Sequence, residues 1–256
     1  VYKRQVVGAQ LGSQAISTSL KAGAIGLAIV MVFMIIMYAV PGIAASLALA
    51  IYTTLVIATL YLFEITLTLP GIAGIILGIG MAVDANVIVF ARVREEIATG
   101  KSVQTSMKIG FQKAMSAILD GNITTLIASV VLMALGSGTV KGFAYTLMIG
   151  IILSLFTAMV VTRYILYSLY ALGLKSEKLY GRAKERKSID FIGKKAVFFT
   201  ISGIIIAAGL ISMGVHSATE GKALNYGLDF MGGTSTTADF GKDMTIEDIE
   251  NDIVPY

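Results

Sequence analysis

The chain has 256 residues, 56% of them hydrophobic and 14% charged, with a mean hydropathy of +0.82, a net charge of +4 and no cysteine. A soluble domain this apolar would have too little polar surface to cover its core, so the composition belongs to a bilayer. The missing cysteines exclude disulfides, iron–sulfur clusters and thiolate zinc sites. The single histidine, His216, argues against a histidine metal site or a Ser-His-Asp triad.

Six stretches are long and apolar enough to cross about 30 Å of hydrocarbon. They are Ala22–Val40, Ile43–Phe63, Gly71–Phe90, Ile123–Leu135 with its flanks, Phe143–Tyr167 and Ala196–Met213. Pro41-Gly42 predicts a tight turn between the first two, and Pro70-Gly71 opens the third. The fourth is short in apolar residues and works as a span only if Asp120 to Thr125 is buried against protein.

Basic residues set the expected orientation. Thirteen of the twenty Lys and Arg fall between spans three and four (Arg92 to Lys113) or between spans five and six (Lys175 to Lys195). The positive-inside rule then places those segments in the cytoplasm and both chain ends outside. The basic run 175–195 is interrupted by Glu177, Glu185 and Asp190, so it reads as a topology determinant beside anionic lipid and not as a nucleic-acid patch. The expected organisation is five spans over 1–170, a basic linker over 171–195 and a sixth span over 196–215. An external segment over 216–256 follows, with a strand at Thr234–Phe240 and a helix start at Thr245. Because the chain starts at Val1 and the last segment is too short to bury a core, the expectation is a piece of a longer protein.

The third span reads GIAGIILGIGMAVDANVIVF and holds Asp84, the one acidic residue deep inside any span. A carboxylate there costs several kcal/mol unless it is paired, solvated or protonated, which makes it a candidate for proton or ion handling. The alternative is a structural carboxylic acid bonded to a neighbouring helix. At 100° per residue, Asp84 shares a face with Gly80, Leu77 and Ala73, while Asn86 projects about 200° away. Gly71, Gly74, Gly78 and Ala82 form a further small-residue stripe, which predicts a central helix closely approached by others. Similar stripes run through Gly121, Thr125 and Ser129, after the polar run Asp120-Gly-Asn122, and through Gly150, Ser154 and Ala158. Arg163 is expected to snorkel as an anchor, and only secondarily to pair with Asp84. Asp84 has no acidic partner at its depth for an aspartyl protease, and no phosphate-binding glycine loop is present, so an enzyme is not expected.

The block from Gly78-Ile-Gly80 through Asp84-Ala-Asn86 to Arg92, followed by Arg94-Glu-Glu, resembles the signature of SecD, a bacterial protein-export subunit of the resistance-nodulation-division (RND) superfamily. Gly110-Phe111, Asp120-Gly-Asn122-Ile-Thr124-Thr125, Gly136-Ser-Gly138 and Thr162-Arg163 follow in the family's order. Val7-Gly8 to Gly12 resembles the lead into the second SecD helix, and Asp190-Phe191-Ile192-Gly193 resembles the start of SecF. Gly227-Leu-Asp229-Phe230-Met-Gly232-Gly233 resembles the SecF motif at the entry to its external domain. The resemblance implies an all-α polytopic RND-type bundle from the middle of a fused SecDF, ending in the start of an α/β external domain. It implies a bacterial cytoplasmic-membrane location and partnership with the Sec channel, preprotein, lipid and further SecD and SecF helices. It also implies coupling to protons, or to sodium as in some members, with Asp84 as the carrier and no other cofactor. Another RND pump for lipids or small molecules, and a scaffold at the translocon, are the alternatives.

Overall fold

A computed structural model describes residues 9–181, 192–221, 224 and 226. The expected external strand, the helix start at Thr245 and the entry motif Gly227, Asp229, Phe230, Gly232 and Gly233 lie outside these residues. The chain divides into two units, 1–185 and 186–256. The first unit holds α1 (Ala9–Tyr38), α2 (Val40–Leu62), α3 (Leu69–Ala98), α4 (Val103–Leu135), α5 (Thr139–Phe156), α6 (Thr162–Ala171) and the short α7 (Glu177–Tyr180). A π-helical turn, Thr157–Val161, joins α5 to α6 into one continuous rod. The second unit contains α8 (Lys195–Glu220). Six helical rods are long and apolar enough to span a membrane, and no strand occurs among the described residues.

The helices outrun the apolar stretches that identify them. The third continues to Ala98 and the fourth begins at Val103, so most of the expected basic loop between them is helix. Ser102 stops the connection short by capping α4, its hydroxyl accepting from the Thr105 amide at 3.4 Å. Thr68 caps α3 in the same way, accepting from the Gly71 amide at 3.1 Å. The corner between α1 and α2 falls at Ala39, two residues ahead of Pro41, and Pro41-Gly42 already lies in the first turn of α2. Pro41 needs no amide partner there. A Cβ on Gly42 would lie 2.0 Å from the Met34 carbonyl oxygen, so glycine alone lets the two helices fold back at this angle.

The first unit is organised around α3, which packs against α1, α2, α4, α5, the π turn and α7. The small-residue stripe expected on this helix is where its neighbours come closest: Gly71, Gly74, Gly78 and Ala82 are all buried. A Cβ on Gly74 would meet Thr146, and one on Gly78 would meet the Tyr52 hydroxyl at 2.5 Å, with the Gly150 backbone 4.0 Å away. Numbers rise together on the two helices, from Gly74 opposite Thr146 to Gly78 opposite Gly150, so α3 and α5 run parallel, with α4 as the return crossing. Without a hydrophobic drive between helices in lipid, this backbone proximity is the attraction available to them.

The fourth span departs from expectation. Phe111, Ala114, Ile118 and Ser129 make its buried stripe, and Asn122 and Thr125 lie half-buried on the same face. Asp120, Gly121 and Thr124 point away from it and are exposed. Burial of the whole Asp120–Thr125 run is therefore not supplied by the described helices of the first unit: the turn is polar on more sides than one packed face can cover. The stripe through Gly150, Ser154 and Ala158 is buried throughout.

The Tyr52–Gly78–Gly150 crossing is testable. The Tyr52 hydroxyl has no hydrogen-bond partner among the described residues and abuts the space a Gly78 side chain would need. Gly78→Ala should destabilise the bundle by about 1–3 kcal/mol through overpacking. Tyr52→Phe should be neutral or mildly stabilising and should restore most of the loss in the double variant, measured by thermal unfolding in detergent.

Candidate functional site

Asp84 stands near the midpoint of α3, about 22 Å from Leu69 and about 21 Å from Ala98 along the axis. The face it shares with Ala73, Leu77 and Gly80 is exposed, in contrast to the glycine stripe behind it. Asp84 makes no hydrogen bond or ion pair among the described residues. Helix α3 thus has two different sides, one closed by α5 and α2 and one that holds a carboxylate beside small residues. Asn86 lies on the closed side, 3% exposed, its amide nitrogen donating to the Ala82 carbonyl at 3.3 Å and its carbonyl oxygen without a partner among the described residues.

The remaining polar candidates do not join Asp84. On α4 their bonds are local: Asn122 donates to the Ile118 carbonyl at 2.8 Å, Thr124 to Asp120 at 3.1 Å and Thr125 to Gly121 at 3.3 Å. The Asp120 carboxylate accepts from Ser116 at 3.4 Å. Arg163 is exposed on α6, one residue past the π turn, with its guanidinium 5.8 Å from the centre of the Phe111 ring and 5.9 Å from that of Tyr167. It makes no ion pair with Asp84. Its stacking between α4 and α6 suits an anchor.

Two charged residues have positions that the sequence does not disclose. Arg94 reaches across the end of the bundle, donating to the Met37 carbonyl from one guanidinium nitrogen and to the Tyr180 carbonyl, at 3.4 Å, from another. Its guanidinium also lies 4.3 Å from the centre of the Tyr38 ring. Gly181, at φ +76°, sits so close that a Cβ would fall 2.7 Å from the Arg94 side chain. Glu96 is buried and accepts from Lys113 at 2.6 Å and from Lys101, which ties the end of α3 to the start of α4. In the sequence they stand in the Arg94-Glu-Glu motif without assigned partners. The available signal is their spacing, since Val89, Val93 and Glu96 fall on one buried face at helical intervals.

Six apolar rods, those of the first unit organised around a small-residue helix, define a polytopic α-helical membrane protein of RND type. Protein export membrane protein SecD/SecF, C-terminal, matches residues 1–171. The chain belongs to this SecD/SecF family. It is 53% identical over 166 residues to the protein translocase subunit SecD of Synechocystis, covering 65% of this chain and 35% of that one. It is 36% identical over 265 residues to the protein translocase subunit SecDF of Bacillus subtilis, covering 96% of this chain and 35% of the relative. The crystal structure of SecDF from Thermus thermophilus, described as a translocon-associated membrane protein, superposes with a TM-score of 0.74 at 32% identity, covering 89% of this chain and 31% of that one. The chain thus spans about a third of the length of these relatives.

Arg94 gives a testable anchor. The Tyr180 side chain beneath it is 1% exposed, and burial pushes its hydroxyl pKa up to about 12, with Tyr170 adding to the effect. The fold holds the neutral phenol, so the stability that its burial contributes is present below pH 10 and lost as pH rises towards 12. Arg94→Gln should free α7, speeding amide exchange over Glu177–Tyr180 roughly tenfold, the equivalent of about 1.4 kcal/mol. Exchange in the middle of α3 should not change.

Proposed function

We propose that this chain is the SecD-side part of an ion-coupled accessory unit of the Sec translocase, which promotes movement of preproteins across the cytoplasmic membrane. The observation that carries the reading is Asp84 itself. It is a carboxylate at the middle of a membrane helix, on the face of α3 opposite the glycine stripe, with no partner among the described residues. Family membership supplies the export context.

The physics of such a group suits coupling. A protonated Asp84 is a neutral hydrogen-bonding acid that can sit in a dry helix seam, whereas the ionised form demands water or a cation. Each loading or release therefore shifts the preference between a packed and a hydrated seam along α3. Gly80, one turn away on the same face, leaves room for a second helix to approach and withdraw. Asn86, Asp120, Asn122, Thr124 and Thr125 support the fold and the polar flank of the bundle in this reading, and Arg163 anchors α6. The coupling ion is a proton, with sodium as the alternative carried by the same carboxylate. The charge distribution supports placing the α3–α4 connection and the segment after α6 in the cytoplasm.

The test uses the whole protein in inverted vesicles or cells. Asp84→Asn should insert normally and bring export down to the level measured when the proton-motive force is collapsed, while Asp84→Glu should retain part of the coupled rate. Normal, force-dependent export by Asp84→Asn would overturn the relay. Repeating the wild-type measurement under an imposed sodium gradient separates the two ions.

A further inference from the structure

A cavity of about 710 Å³ lies where four helix ends meet, between the α2–α3 and α4–α5 connections and the first turns of α5. This volume is in the range of a small-molecule site. It carries one carboxylate, Glu64, and one ammonium, Lys141, both exposed and neither in an ion pair among the described residues. Of its three threonines, Thr59 donates to the Leu55 carbonyl at 2.7 Å and Thr68 caps α3, which leaves Thr66 beside the two charges. The charges left to greet a ligand are thus a single negative and a single positive group. Phe63 and Tyr145 line the same mouth, and Met148 and Ile149 form its apolar floor.

The position says what kind of ligand this is. Helices α2, α3, α4 and α5 all begin or end around the cavity, so its mouth lies at the level of lipid headgroups whichever side of the membrane it faces. Phe63 and Tyr145 fit the aromatic belt found at that depth. From Lys141 to Ile149, the α5 wall descends about 12 Å, from a charged rim to a hydrocarbon surface. The ligand must therefore be amphiphilic, with an anion and a cation side by side at its polar end.

We propose that this cavity is a binding site for an aminophospholipid of the phosphatidylethanolamine type. Lys141 meets the phosphodiester, Glu64 accepts hydrogen bonds from the primary ammonium, and an acyl chain lies along Met148 and Ile149. A primary ammonium has three N–H donors for the carboxylate, and a trimethylated one has none, so the site selects against phosphatidylcholine. Phosphatidylglycerol can pair its phosphate with Lys141 but brings no cation, so Glu64 is left unpaired beside the anion. The site is separate from Asp84 and does not depend on the relay.

The test uses the whole protein in nanodiscs of equimolar phosphatidylcholine, phosphatidylethanolamine and phosphatidylglycerol, with retained lipid counted by native mass spectrometry. Phosphatidylethanolamine should be enriched about fivefold over phosphatidylcholine, as one charge-assisted hydrogen bond would give. Glu64→Gln should bring that ratio close to one and raise the share of phosphatidylglycerol, and Lys141→Gln should lower retention of all three. A photoreactive side chain placed at position 148 should cross-link to lipid. Equal retention of the three lipids by the unaltered protein would overturn the proposal, as would a ratio indifferent to Glu64→Gln or a cross-link to protein in place of lipid.

Discussion

The bundle depends on one close approach, the parallel contact of α3 with α5 through glycine. In water, helices are pressed together because their apolar faces leave solvent. In lipid that drive is absent, because a leucine is as well accommodated by acyl chains as by another leucine. What remains is dispersion between surfaces that fit, and it grows as backbones come nearer. Gly74 and Gly78 bring α3 against Thr146 and Gly150, and Tyr52 from α2 fills the notch that they leave. Many large apolar residues therefore face outward, as Leu77 and Ile152 do, while others such as Phe90, Phe111 and Ile151 fill the interior.

The same arrangement separates two jobs on one helix. The glycine side of α3 is held in fixed register by α5 and α2, so it cannot be the side that changes. The opposite side, with Ala73, Gly80 and Asp84, is exposed, and in the proposed coupling it is where a charge-dependent seam would open. At the far end, Glu96 with Lys101 and Lys113, and Arg94 with Met37 and Tyr180, fasten α3 to α4, α1 and α7. In the proposed coupling, a helix pinned at its end and along one face would transmit a change at Asp84 without losing its place.

Much of this was legible in the residues, for physical reasons that also explain what was not. An apolar run of twenty residues is an unambiguous signal, and so is a lone aspartate within one. The small stripe on the third span named the packing face correctly because glycine periodicity maps directly onto helix proximity. Helix ends were less legible. Hydropathy reports where hydrocarbon stops, whereas Thr68 and Ser102 report where the helix starts, and α3 continues well past Phe90 as a polar helix. Asp120 to Thr125 misled because a polar run reads as one unit, while on a helix it divides between two faces. Arg94 and Glu96 were hidden among surface-like charges. Nothing in Thr157-Ala-Met-Val-Val161 foretells a π turn.

That π turn also fixes the angular phase of everything after it. A π turn accommodates one residue more than the α-helical turn it replaces, so removing a residue from 157–161 would let α5 and α6 run on as a plain α-helix. Each residue of helix is worth about 100° of rotation, and the direction of Arg163 relative to Phe111 on α4 is set by that count. The single surplus residue works as a key cut into the rod: one side of the helix serves the glycine contact above, and Arg163 is turned towards Phe111 of α4 below.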